Sequence, residues 1–516
     1  MAAETIDPRT PILVGCGDVT DINTPVEDGR SPFDLMAEAG RLALQDAGGS
    51  GIAEAIDTVA VLRLFVDSSP RFAATGLGSS TNPPRSISRR MGLNARSEIY
   101  THVGGNMPQS LVNTFAQAIA EGEMRAALIV GGEALRTQLG VQRAGLDVSW
   151  AEDPGGEPEL MGENRSGWSP HEAKHGLRAA ISFYPLFEQA IRGERGHTLE
   201  QHLQSMGALL AGLSRVAVDN PLATRREPMS AERLARVDAD NRWIGFPYPR
   251  LMNANVFVDQ ASALIMTSVG EARAQGIPES KWIYLHGCAD GHDHWHVSDR
   301  ENFHTSPAIR AGSALALEMA GIGVQDLDYL DIYSCFPSAV EIACQELGLS
   351  EQDPRGLTVT GGLPYFGGPG NNYVTHSISE MMRRLRRAPG SYGLVTANGY
   401  YLTKHSFGVY STRPVPGAWR REEPSRLQAR LDALPKAEFT ETPSGRAMIE
   451  TYTVMYDRKA PIQGIVFGRE QETGRRFVAN TPADAAVMQD LVDREGLDRP
   501  GSVQTVDGLN VFTPNH

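Results

Sequence analysis

The sequence predicts an α/β protein built from two similar halves with additions, and three observations predict it. Pro11-Ile-Leu-Val-Gly15-Cys16-Gly17 opens a stretch that runs through an Ala-rich helix to Ala47-Gly48, and Trp282-Ile-Tyr-Leu-His-Gly287-Cys288-Ala289 opens another that runs to Ala320-Gly321. The cysteine-to-Ala-Gly spacing is 31 residues in the first and 32 in the second, so one strand-helix-strand unit occurs twice. Each helix then leads into an apolar strand, at 56–61 or 327–333, the alternation of a mainly parallel sheet covered on both faces. Finally, 516 residues exceed the roughly 250 to 300 that a single core sustains.

The first half, 1–135 with 251–276, carries strands at 11–17, 56–64, 97–103 and 126–132 and helices at about 31–47 and 107–121. Pro108 follows Gly104-Gly105-Asn106 and suits the first turn of a helix, which places a Gly-rich turn against a helix N-terminus. Residues 136–250 change texture to Gly, Pro, Trp and charge and read as an insertion with helices at about 170–192 and 198–216. Its aromatics Trp168, Tyr184, Trp243, Phe246 and Tyr248 either line a cleft with Arg242 and Arg250 or fill a small core of their own. The second half spans 277–413. After the Pro- and charge-rich linker that begins at Pro414, strands at 449–456, 461–469 and 475–480 and a helix at 482–493 predict a separate, small β-barrel or OB-like domain over 414–516.

The 41% apolar and 21% charged residues are those of a soluble globular protein. A net charge of −14 argues against a nucleic-acid-binding face and against anionic membrane surfaces. No uninterrupted apolar run approaches a membrane span, and the N-terminus lacks the pattern of a secretory leader. The four cysteines, at 16, 288, 335 and 344, are too sparse for a disulfide framework, so the expectation is a reducing cytoplasm.

Three clusters carry candidate chemistry. Tyr333-Ser-Cys335-Phe-Pro337 puts a thiol at a strand end just before a helix, where free N–H groups and the helix dipole favour a thiolate; the alternative is a small buried apolar residue. Gly361 to Asn372 holds five glycines and two asparagines, a density that lets backbone N–H groups at Gly367 and Gly368 approach an oxyanion, and His376 follows it. Ala397-Asn398-Gly399-Tyr400-Tyr401 to His405 sets Asn398 and a possible general base, His405, in or beside a strand. The run His286, His292, His294, His296 follows no metal-ligand spacing, and no metal is expected.

The layout resembles the thiolase superfamily, in which two halves of the same fold form a five-layer αβαβα body that clasps a coenzyme A thioester. Asp259-Gln-Ala-Ser-Ala263 is similar to the Asp-Gly-Ala-Ala-Ala strand, Tyr333-Ser-Cys335-Phe336 to the His-Asp-Cys-Phe of sterol-carrier-type thiolases, and Gly361 to Gly370 to the Gly-His-Pro loop. The segment after 414, with Phe477-Val-Ala-Asn-Thr-Pro-Ala-Asp484, is similar to the extra C-terminal domain of thiolase-like proteins of type 1. The resemblance puts the nucleophilic cysteine at Gly104, its histidine at Gly368 and the late Cys-Ile-Gly-Gly-Gly motif around Asn398-Gly399. It implies coenzyme A thioester as substrate or ligand, with no covalent cofactor, and Asn253, Asn255 and Arg242 near its nucleotide end. A thioester is not attacked appreciably without an activated nucleophile, so acyl transfer by the usual route is not expected.

Three functions follow from the resemblance. The first is an acyltransferase of acetyl-CoA acetyltransferase type, in lipid metabolism, in which Cys335, His376, His405 and Tyr333 do chemistry while Gly104, Gly367, Gly368 and Asn398 hold the thioester oxygen. The second is a retro-aldol lyase on β-hydroxyacyl thioesters that uses Tyr333, Tyr365 and Tyr400. The third is a non-catalytic acyl-CoA carrier or partner subunit. The resemblance also implies a homodimer, with a monomer as the alternative.

Overall fold

A computed structural model of the chain describes residues 6–49, 51–68 and 77–515. The leader reading rests on residues outside that set. In chain order the strands are β1 (Pro11–Thr20), β2 (Thr58–Val61), β3 (Ser97–Thr101), β4 (Ala126–Ala134), β5 (Glu159–Met161), β6 (Trp243–Gly245), β7 (Tyr248–Pro249), β8 (Asp259–Ser268) and β9 (Ile283–His292). They continue with β10 (Tyr329–Asp331), β11 (Tyr392–Gly399), β12 (Lys404–Ser411), β13 (Gly445–Tyr456), β14 (Pro461–Glu470), β15 (Arg476–Asn480), β16 (Pro500–Val506) and β17 (Leu509–Pro514). No helix among the described residues is long and apolar enough to cross a membrane.

Ten strands order as β10-β11-β12-β9-β1-β8-β4-β2-β3-β5. Counted within the first half, β3-β2-β4-β8-β1 reads 3-2-4-5-1. Counted within the second, β10-β11-β12-β9 reads 2-4-5-1, the same order without its third strand. Where that strand would lie, Ile332 donates to the Leu357 carbonyl, but Val359 N–H turns to Asp331 Oδ2 at 2.9 Å. A side-chain carboxylate has replaced the ladder partner. The halves join through β1 and β9, paired at Ile12 with Tyr284 and Leu13 with Ile283.

The repeat in sequence has a packing cause. A Cβ at Gly15 would collide with the Ala43 carbonyl, and one at Gly287 with the Ala316 carbonyl, so each half needs glycine in its first strand and alanines on the helix that crosses it. Those outer helices are Pro32–Ala47 and Pro307–Ala320. Helices Met107–Glu121 and Tyr373–Arg387 each touch strands of both halves and form the middle layer. The thiolase-type αβαβα layering is therefore present.

The last section closes into a five-stranded barrel, β13-β14-β15-β17-β16, with β13 paired to both β14 and β16. It is not the separate unit read from the sequence. Gly245 of β6 pairs with Met455 of β13, so the insertion lends the hairpin β6-β7 to the barrel sheet. Thr451 Oγ1 donates to the Leu186 carbonyl at 2.6 Å, and the fully buried Arg476 guanidinium reaches the carbonyls of Ser298, Arg300 and Glu301 while pairing with Glu450. The linker hid this union because its composition reports solvent exposure of the connecting segment alone.

Candidate active site

Three segments and one insertion side chain meet at the seam between the halves: Val103-Gly104-Gly105-Asn106 before helix Met107–Glu121, Tyr333 to Pro337 before helix Pro337–Leu347, the turn from β11 to β12, and Tyr184. Tyr184 hydroxyl donates to the Tyr400 carbonyl at 3.1 Å and accepts from Asn398 Nδ2 at 2.9 Å and from Leu402 N–H at 3.3 Å. Asn398 Nδ2 also lies 3.9 Å from Cys335 Sγ, while its Oδ1 is buried without a partner.

Cys335 stands two residues before its helix, close to where the sequence reads it, but burial opposes a thiolate there. Burial pushes its thiol up to about 12, outweighing the Tyr184 hydroxyl and the nearby backbone N–H groups that favour the charged form. The sequence locates the helix end but not the depth of the thiol, and depth decides. Tyr333 hydroxyl would meet a Cβ at Gly105, and burial first, then the Cys335 sulfur, raises it well above the phenol range. Tyr333, Asn398, His405 and Phe407 line a cavity of about 10 Å³, about the room of one water. His405 Nε2 lies 3.5 Å from Asp293 Oδ2.

The residue that the sequence reading passed over is Lys404, the first of β12. It is buried, its Nζ donates to the Val103 carbonyl, and it sits over the Tyr400 ring at 4.5 Å and the Trp295 ring at 6.0 Å. A Cβ at Gly104 would lie 2.8 Å from Nζ, and one at Gly399 would lie 3.1 Å from Cε. The amine therefore fills the space left by the two glycines at or beside the positions where the resemblance puts thiols. Burial pushes it down to about 8, against the weaker pull of Glu163. The preceding turn holds Tyr400 and Leu402 at φ of 56° and 51°, left-handed values uncommon for side chains of this size.

Other expected site residues lie elsewhere or have their donors occupied. Gly104 N–H donates to Asn371 Oδ1 at 3.0 Å and Gly368 N–H to the Asn255 carbonyl at 2.9 Å, so neither is a free oxyanion donor. A Cβ at Gly367 would collide with the Gln260 amide. His376 does not serve as a shuttle for Cys335: its Nδ1 is 2.6 Å from Asp18 Oδ1, in a cluster with the partly exposed Arg383. Against burial, which raises it, Arg383 and His376 hold the Asp18 carboxyl well below the usual range.

Arg242 bonds the carbonyls of Trp243 and Asp457 at 2.9 and 3.0 Å, tying insertion to barrel rather than facing a nucleotide. Asn253 donates to the Pro249 carbonyl at 2.7 Å, and Asn255 to Thr224 Oγ1 at 3.3 Å. Beyond the His376 cluster opens a groove of about 650 Å³ lined by Arg383, Arg384 and Arg387, with Asp18, Asp219 and Glu380 balancing their charge.

His286, His292 and His294 bond backbone carbonyls and do not converge. The group whose ligand atoms do converge, within 4.8 Å, is Glu188, His202 and Glu341. Burial, then Glu188, raises the Glu341 carboxyl well above its usual range, and Arg195 Nη1, 3.3 Å away, supplies countercharge. That favours a shared-proton network over a bound cation.

Residues 289–412 match the thiolase C-terminal domain-like family, and residues 426–508 match the thiolase-like protein type 1 additional C-terminal domain. The structure is similar to that of a monomeric SCP2-thiolase like protein type 1 from Mycobacterium smegmatis, 37% identical with a TM-score of 0.84, over 98% of this chain and 99% of that one. The chain belongs to the thiolase-like protein type 1 family.

Two further structures share the thiolase-like protein's fold alone. An Ltp2-ChsH2(DUF35) aldolase is 19% identical with a TM-score of 0.57, over 78% of this chain and 98% of its own. Acetyl-CoA acetyltransferase from Syntrophomonas wolfei is 16% identical with a TM-score of 0.53, over 79% of this chain and 100% of its own. Among curated proteins, the 3-ketoacyl-CoA thiolases of Erwinia tasmaniensis and Serratia proteamaculans are 26% identical over 159 residues and 30% over 160. Each match covers 28% of this chain and 35% of the thiolase, so the chain spans about a third of the length of these relatives.

Proposed function

We propose that this thiolase-like protein binds a coenzyme A thioester at the seam between its halves and does not run acyl transfer through a thiolate. The carrying observation is the pair Gly104 and Cys335. The first offers no sulfur where the resemblance expects the nucleophile, and burial keeps the second protonated at neutral pH. Ping-pong acyl transfer needs an activated nucleophile, and neither position supplies one.

Two buried amide oxygens without partners, Asn106 Oδ1 and Asn398 Oδ1, support binding, because each lacks a donor and the pantetheine arm carries two amide N–H groups. The cavity beside Tyr333 holds only about one water, so binding requires side chains at the seam to move aside. The same reading takes the chain as a monomer, as the Mycobacterium smegmatis relative is described.

A thermal-shift titration with coenzyme A, acetyl-coenzyme A and a long-chain analogue tests it. Saturation at one hundred times Kd adds about 2.7 kcal/mol of stability. Unchanged melting with all three ligands, or thiolysis of acetoacetyl-coenzyme A by added coenzyme A, refutes the proposal.

A further inference from the structure

We propose that Lys404 is a nucleophilic amine that forms an imine with a ketone or aldehyde held at the seam, a modification and catalytic site distinct from any thiol. The proposal takes from the preceding reading only that the seam receives a substrate.

Composition first sets this residue apart. The chain has 48 basic residues but only five lysines, at 174, 281, 404, 436 and 459, so arginine serves nearly everywhere a cation is wanted. Four of the five are exposed or half-buried, and Lys404 alone is buried. Arginine cannot give up its proton and lysine can, so a lysine retained only here fits chemistry that needs a lone pair.

The surroundings make the neutral amine easier to reach. No carboxylate pairs with Nζ among the described residues; it donates to one backbone carbonyl and faces two aromatic rings. An unpaired ammonium at that depth costs several kcal/mol, and desolvation activates an amine for attack on a carbonyl.

Room for the amine comes from the same two glycines. Side chains at Gly104 or Gly399 would collide with Lys404 or with the Asn106 amide, so together they leave the amine its room. Asn106 Oδ1, buried and without a partner at that spot, is an acceptor for the hydroxyl that carbonyl addition creates. The left-handed turn at Tyr400 and Leu402, pinned by Tyr184, fixes where β12 begins and so where Lys404 points.

The chemistry balances without an outside oxidant or reductant. The Nζ lone pair attacks the carbonyl carbon, the C=O π pair moves to oxygen, and the proton released by nitrogen ends on that oxygen to give a carbinolamine. Expulsion of the protonated hydroxyl as water leaves the imine, and hydrolysis reverses it. The protonated imine then draws electrons from an adjacent carbon–carbon bond, the role an electron sink plays in aldol-type cleavage or decarboxylation.

The test is reductive trapping on the full chain. The protein is incubated with sodium cyanoborohydride and either acetoacetyl-coenzyme A or ethyl acetoacetate, then digested and mapped by mass spectrometry, with the other four lysines as internal controls. The expected result is label on Lys404 at least tenfold faster than on any other lysine. Lys404→Gln, which removes the amine and buries no permanent charge, should abolish it.

Lys404 unlabelled by both ketones, or labelled no faster than Lys174 and Lys436, overturns the proposal whether or not the variant folds. Label from ethyl acetoacetate alone leaves the amine standing and removes the coenzyme A reading. A coenzyme A thermal shift without label on Lys404 removes the amine alone.

Discussion

Restoring a thiol at position 104 tests the electrostatic reading of the seam. The Gly104 backbone is not left-handed, so Gly104→Cys meets no backbone barrier; its Cβ instead presses on the ends of Asn106 and Lys404. Overpacking of this kind costs about 1 to 3 kcal/mol. A thiolate there would face Nζ at about 4 Å, worth about 4 kcal/mol at an effective dielectric of 20, or about three pKa units downward. Burial takes part of that back, as Cys335 shows, and the expected midpoint is about 7.

The assay is the rate of iodoacetamide alkylation across pH, followed on the peptide containing residue 104. Background is low because the natural thiols are buried, with Cys16 raised to about 11, Cys288 and Cys335 to about 12 and Cys344 higher, burial being the leading cause in each. A midpoint at or above about 8.5, or one unchanged in the Gly104→Cys, Lys404→Gln double variant, refutes the placement of the amine.

Cys335→Ala should cost about 1 kcal/mol in urea unfolding and leave any coenzyme A-induced thermal shift unchanged; a lost shift would restore a binding role to the thiol. Glu133 is buried and its carboxyl is raised to about 8 by desolvation first, then Asp67, against the Phe65 N–H that favours its charge. A carboxyl raised in the folded state binds its proton there more tightly, so stability is full below about pH 4 and falls as pH rises to about 8. Glu133→Gln should remove that slope and gain about 3 to 5 kcal/mol at pH 9, measured by urea unfolding at pH 5 and pH 9. Arg476→Ala should cost about 3 to 5 kcal/mol, because three buried carbonyls and Glu450 lose their donor, and limited proteolysis should then release the barrel.

The halves were legible in the sequence because Gly15 and Gly287 answer to the same helix-on-strand contact, and contacts that need glycine leave spaced marks. The helix that begins just after Gly104 was legible from Pro108, which lies in its first turn. Burial was not. Cys335, His376 and Gly368 were read by local position; depth decides the first, and Asp18 and Asn255 from distant segments decide the other two. Lys404 lay within the Asn398 to His405 cluster, and its signal was available: one of five lysines, at the head of a strand with no acidic residue. The third strand of the second half failed to form because Asp331, read only as part of the preceding strand, captures its backbone.

The hairpin β6-β7 has a consequence for how this chain is cut. Ending the polypeptide at 413 would not yield a shorter two-half protein, since β6 would lose the neighbour that covers its edge and the carbonyls of Ser298 to Glu301 would face empty space. Two extensions about two hundred positions apart in the chain share one sheet, so the insertion's hairpin takes its neighbour from the barrel.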